Sequence, residues 1–139
     1  MLLPTTIESE SIPKGSLWGG RIVDAIVVLF MIFDGVTKIM KVPQVMEATV
    51  RIGFPESTIA GIGAVLLVST ALYVFPSTAV LGAILLTGYL GGATAANVRA
   101  ASPAFNTGFP IVFGILAWLG LYLRESRLRA LIPLKRPAN

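Results

Sequence analysis

The chain has 139 residues, of which 55% are hydrophobic and 13% charged. Soluble domains carry about 25% charged residues, so there is too little charge here to cover a water-facing surface, and the length allows one compact unit rather than two. Cysteine and histidine are both absent, which excludes disulfides, thiolate metal sites, C-x-x-C redox chemistry and the usual proton shuttle near neutral pH. No metal site is expected.

Residues 1–16 hold Pro4, Glu8, Glu10 and Pro13 without a basic start or an apolar middle. A secretory signal needs both, so this segment reads as a polar N-terminal tail. Four apolar runs follow, at about 17–40, 58–75, 78–97 and 105–123. A bilayer core of about 30 Å is crossed by roughly 20 helical residues at 1.5 Å each. Each run is near that length, and none alternates apolar and polar residues as a barrel strand would. The expected fold is all-α: a four-helix transmembrane bundle over 17–127, with a basic cytoplasmic tail at 128–139.

The connections differ in character. Between the first two runs, Pro43 suits a first helical turn. Val45, Met46, Thr49, Val50 and Ile52 share an apolar side, while Glu47 and Arg51 pair at i,i+4. This predicts a short interfacial helix between spans 1 and 2. Phe75-Pro76-Ser77 is a tight uncharged turn, Ala100–Asn106 a short loop, and Arg124–Ile132 a second basic amphipathic piece.

Four spans put both termini and the Pro76 turn on one side. That side holds Lys14, Arg21, Arg124, Arg127, Arg129, Lys135 and Arg136, against Lys38, Lys41, Arg51 and Arg99 on the other. Seven against four favours cytoplasmic termini. The basic C-terminal tail then meets anionic lipid, at roughly 1 kcal/mol per charge. Nucleic acid is not an expected partner.

Asp34 is the most informative residue. A carboxylate within a span is costly and marks either a functional site or a paired interior. Thr37 and Lys38 share its helix face. An Asp34–Lys38 pair near the interface is one reading, and a proton-accepting or ligand-anchoring carboxylate is the other. Asp24, with Arg21 at i−3, reads as an interfacial ion pair. In the third run, Gly88, Gly92 and Ala96 recur every four residues, as do Thr87, Gly91 and Ala95. Small residues at that spacing let helices approach closely, so Gly88, Gly91, Gly92, Ala95 and Ala96 read as helix packing. The same stretch holds Tyr89, Thr94, Asn97 and Arg99. An amide and a guanidinium suit an oxygen-rich head group. Asp34, Lys38, Tyr89, Thr94, Asn97 and Arg99 form the candidate polar pocket, with Asp34–Arg99 as the pairing to test first. The competing reading is a salt-bridge collar that fixes the bundle.

At these residues the chain resembles a known group. Phe33-Asp34-Gly35-Val36-Thr37-Lys38, Gly53-Phe54-Pro55-Glu56-Ser57, Leu86-Thr87-Gly88-Tyr89-Leu90-Gly91-Gly92-Ala93 and Asn97-Val98-Arg99 are similar to the bacterial DoxX-like family, across roughly Leu17 to Arg127. Many members have His where this chain has Asn97, so no imidazole role carries over. The resemblance implies a four-helix protein of the bacterial inner membrane. The family takes its name from a membrane subunit of a thiosulfate:quinone oxidoreductase, and other members are associated with membrane redox or oxidative-stress complexes. The arrangement is also similar to vitamin K epoxide reductase, whose chemistry needs cysteines that this chain lacks.

Two functional classes follow. One is a redox-associated subunit or accessory protein that binds a quinone-like or lipid-like molecule and has no redox cofactor of its own. There Asp34 handles a proton, while Asn97 and Arg99 hold a carbonyl or anionic group. The other is a non-catalytic scaffold or assembly factor. Partners are the lipid bilayer and either a membrane redox complex or a second copy. A transporter is the weaker third class, because the spans are too few and uninterrupted. No catalytic motif is present.

Overall fold

The computed structural model describes residues 13–131. The N-terminal tail up to residue 12 and the tail beyond residue 131 lie outside the described residues. Among those described, every regular element is helical.

The first helix, α1 (Lys14–Ile39), is 26 residues long. It starts three residues earlier than the apolar run, on Pro13, whose fixed φ suits a helix entry. α2 (Pro43–Arg51) has Pro43 in its first turn. A 3₁₀ turn at Glu56–Thr58 leads into α3 (Ile59–Val74). Then come α4 (Ala79–Arg99), α5 (Ala104–Arg124) and α6 (Ser126–Leu131).

Three helices stop in the same way at one end of the molecule. The Val42 N–H bonds the Thr37 carbonyl, the Phe54 N–H that of Thr49, and the Ser102 N–H that of Asn97. Lys41, Gly53 and Ala101 adopt positive φ just before these donors. This is the Schellman stop, which satisfies the last carbonyls of a helix. Only Gly53 takes the left-handed region without a steric cost.

α1 packs on α3 and α5, and α4 packs on the same two helices. Val27, Met31, Leu66, Tyr73, Leu86 and Leu121 fill the centre. Two seams are very close. A Cβ on Gly63 would sit 2.7 Å from the Gly35 carbonyl, so α1 and α3 touch backbone to backbone. A Cβ on Gly82 would overlap the Tyr73 backbone, which holds α4 on α3 beside their shared turn.

By length and apolar composition, three segments are fit to cross a membrane: Glu56–Val74, Ala79–Arg99 and Ala104–Arg124. α1 is longer, but it carries Arg21, Asp24, Asp34 and Lys38 and is not among them. The short helix expected between the first two spans is α2. It turns Met46 and Thr49 inward, while Val50, expected on its apolar side, is exposed.

Candidate functional site

The end of the molecule that carries α2 encloses a cavity of about 890 Å³. α1 contributes Phe30, Met31, Asp34 and Lys38, and α4 contributes Tyr89, Ala93 and Asn97. α2 lies across the end through Gln44, Val45, Ala48 and Thr49. One wall is aromatic. Phe105, Phe109 and Phe113 recur every four residues on α5, and Phe30 packs on the last two at centroid distances of 5.0 and 4.5 Å. Such rings contribute large apolar area with defined stacking geometry.

The facing wall is polar. The Lys38 ammonium pairs with Asp34 Oδ1 one turn earlier on α1. Tyr89 crosses from α4 and donates its hydroxyl to Asp34 Oδ2 at 3.1 Å. Lys38 is only 7% exposed. An ammonium has three hydrogens, and Asp34 is its one hydrogen-bond partner among the described residues. Asn97, 8% exposed, donates its amide to the Ala93 carbonyl and lines the cavity with the rest of its side chain. The wall therefore offers donors beside a neutralised carboxylate, next to a slot walled by flat rings.

The structure gathers four of the six candidate residues, Asp34, Lys38, Tyr89 and Asn97, around one cavity. Thr94 is not among the lining residues and bonds the Leu90 carbonyl of its own helix. Arg99 is also outside the lining, and the expected Asp34–Arg99 pair is not formed. Its guanidinium rests on Gly53, where any Cβ would collide with it. Asp34 instead has the local partner Lys38, four residues away on the same face. The small-residue stripe also behaves differently from the packing expectation. A Cβ on Gly88, Gly91 or Gly92 would meet nothing within 4 Å. Ala95 is exposed and Ala96 partly so. The close helix approaches lie at other glycines, and Gly88 and Gly92 border the cavity.

A second polar centre occupies the opposite end. Asp24 does not pair with Arg21. Its Oδ2 meets the Arg124 guanidinium from α5, and its Oδ1 accepts from the Tyr73 hydroxyl of α3. Tyr73 also stands 2.7 Å from the Ala117 carbonyl, so its single hydrogen serves one acceptor at a time. Arg124 bonds the Tyr73 carbonyl as well and lies over its ring at 5.5 Å. Arg124 is thus an internal residue and not part of a lipid-facing tail. Arg129 folds back on Ser16, Tyr122 and Leu123. Arg127 is exposed, whereas Lys135 and Arg136 lie outside the described residues.

Nothing local in the sequence marks the Asp24 centre, because its members come from three helices. The aromatic wall did leave a signal, in the four-residue spacing of its phenylalanines on α5.

Long apolar helices around a half-buried cavity define an α-helical membrane protein. The chain belongs to the DoxX-like family, whose model matches residues 22–120. No curated protein and no solved structure matches it.

Proposed function

We propose that this chain is a four-span protein that holds a quinone-like or lipid-like molecule in the cavity, as a redox-associated subunit or accessory protein of the bacterial inner membrane. The observation that carries this reading is the cavity itself. It sets a stack of phenylalanines opposite a buried ammonium, a carboxylate, a phenol and an amide. A flat ring bearing oxygens fits such a slot. Lys38 and Asn97 donate to its oxygens, and Asp34 takes a proton from a ligand hydroxyl. Arg99, set apart at Gly53, has no part in this binding.

Support for α1 as the fourth span comes from its outer face. Trp18, Ile22, Ile26, Leu29, Phe33, Val36 and Met40 form one exposed stripe at helical spacing. Soluble proteins rarely leave so large an apolar strip in water. Of the charges on α1, Asp24, Asp34 and Lys38 are paired inside, and the exposed Lys14 and Arg21 lie toward its start, where long basic side chains reach the interface. The balance of basic residues supports cytoplasmic termini, with the cavity at the non-cytoplasmic end.

A scaffold role is the second reading, and the Asp24 centre favours it. There a carboxylate, a phenol and a guanidinium are packed together against Gly120, where a Cβ would overlap the carboxylate. The two readings separate in one experiment. Wild type and Asp34→Asn, purified in mild detergent, are assayed for decylubiquinone binding and thermal stability. The ligand reading expects the wild type to bind and the variant to lose at least tenfold in affinity while staying folded. A wild type that binds no quinone leaves the scaffold reading.

A further inference from the structure

The lining of the cavity reaches the surface in two places. Under α2 the rim is mixed: Gln44, Arg51 and Asn106 are its exposed polar lining residues, beside the exposed apolar Ala48, Pro103 and Phe105. On the side, Gly88 and Gly92 of α4 are also both exposed and cavity-lining. A stretch of helix backbone that borders the cavity and also lies on the outer surface marks a gap in the wall.

The seams between helices locate this gap. α1 and α3 are shut by the Gly35–Gly63 contact, and α1 and α5 by Phe30 stacked on Phe109 and Phe113. α4 and α5 are tied by the Trp118–Thr87 hydrogen bond at 2.7 Å and by the short loop of residues 100–103. α3 and α4 are joined at the other end, beside Gly82 and the Pro76 turn. At the cavity end, Ile62 is the only α3 residue on the cavity wall. One turn below Ile62 stands Val65, 61% exposed, and one turn below Gly88 stands Leu85, 41% exposed. The rim of this opening is apolar.

We propose that the cavity is loaded sideways from the bilayer, through the gap between α3 and α4 at Gly88 and Gly92. The ligand is then a molecule already dissolved in the membrane, and its polar end reaches Tyr89, Asp34 and Lys38 after passing the glycines. The opening under α2 serves water and protons. This inference rests on the ligand-binding reading and adds the direction of entry to it.

The two glycines make the route testable, since a Cβ added at either meets nothing within 4 Å. Gly92→Ala, Gly92→Leu and Gly88→Leu are reconstituted in lipid nanodiscs holding a photoactivatable azidoquinone. After illumination, crosslinks are mapped by peptide mass spectrometry, and thermal stability is measured in parallel. The wild type and Gly92→Ala are expected to label the Phe109 and Phe113 segment. Each leucine variant is expected to lose at least tenfold of that label at unchanged or raised Tm, while label on the outer faces of α3 and α4 persists. Ala48→Leu, which narrows the opening under α2, is expected to lose less of that label than Gly88→Leu or Gly92→Leu. Wild-type labelling in both leucine variants, or its loss in Ala48→Leu instead, overturns the lateral route. Absence of cavity label in the wild type overturns the ligand-binding reading and the route with it.

Discussion

Two carboxylates sit on α1, ten residues apart, which is about 15 Å along a helix. Each meets a tyrosine from another helix and a basic side chain. Asp24 is tied to Tyr73 and Arg124, and Asp34 to Tyr89 and Lys38. What differs is the space around them. The carboxylate of Asp24 fills the room left by Gly120, where a Cβ would overlap its Oδ1. Asp34 has the cavity beside it. The cation also differs in origin: Arg124 comes from another helix, whereas Lys38 is one turn away on α1 itself. Losing the first pair disconnects helices, and losing the second leaves them joined. A carboxylate, a phenol and a cation therefore make a lock at one end and the wall of a cavity at the other.

The largest expected effect breaks the lock. Asp24→Ala leaves the Arg124 guanidinium, only 15% exposed, without its counter-charge. Breaking a buried pair from one side costs about 3–5 kcal/mol. A large fall in Tm or loss of folded protein is expected, whereas Asp34→Asn remains folded because the amide oxygen still accepts from Lys38 or Tyr89. Similar losses of stability from the two variants would erase the distinction between the centres.

The tyrosines give a finer comparison. Tyr73→Phe removes a fully buried hydroxyl bond to a carboxylate, and the expected cost is about 1–3 kcal/mol. Tyr89→Phe removes one bond to a carboxylate that keeps Lys38, and about 1 kcal/mol is expected. Denaturation of both variants under one set of conditions checks the order, and quinone binding should fall only in Tyr89→Phe.

The smallest effect lies at Glu47→Gln. The Glu47–Arg51 bond, at 3.1 Å, joins side chains that are each 73% exposed, and pairs of this kind contribute about 0.3–0.5 kcal/mol. A Tm change within a degree or so of wild type is expected. A substantial loss would mean that α2 holds the cavity closed through this pair.

Much of the helical plan could be read from the chain because apolar run length and proline placement act locally. α2, the Pro76 turn and the last long helix appear within a few residues of their expected limits. The stops at Lys41 and Ala101 were hidden, because neither residue type announces a left-handed turn as Gly53 does. The candidate pocket was legible where one helix carries the partners, as with Asp34 and Lys38. It was not legible where geometry across helices decides. Arg99 reached Gly53 instead of Asp34, and Asp24 found partners on α3 and α5. The glycines of α4 show the same limit, since their spacing says that something can come close without saying whether it is a helix or a ligand.

Pro110 stands inside α5, buried on the cavity wall between Phe109 and Phe113. A proline has no N–H, so the rung that would tie it to the carbonyl of Asn106 does not exist. Bending α5 at that point meets one hydrogen bond fewer than elsewhere along the helix. The aromatic wall is therefore hung on a compliant joint, whereas the facing wall on α1 is clamped to α3 at Gly35 and Gly63. Occupants of different thickness would be accommodated by flexing one wall about a fixed opposite face, with the lock at the far end undisturbed.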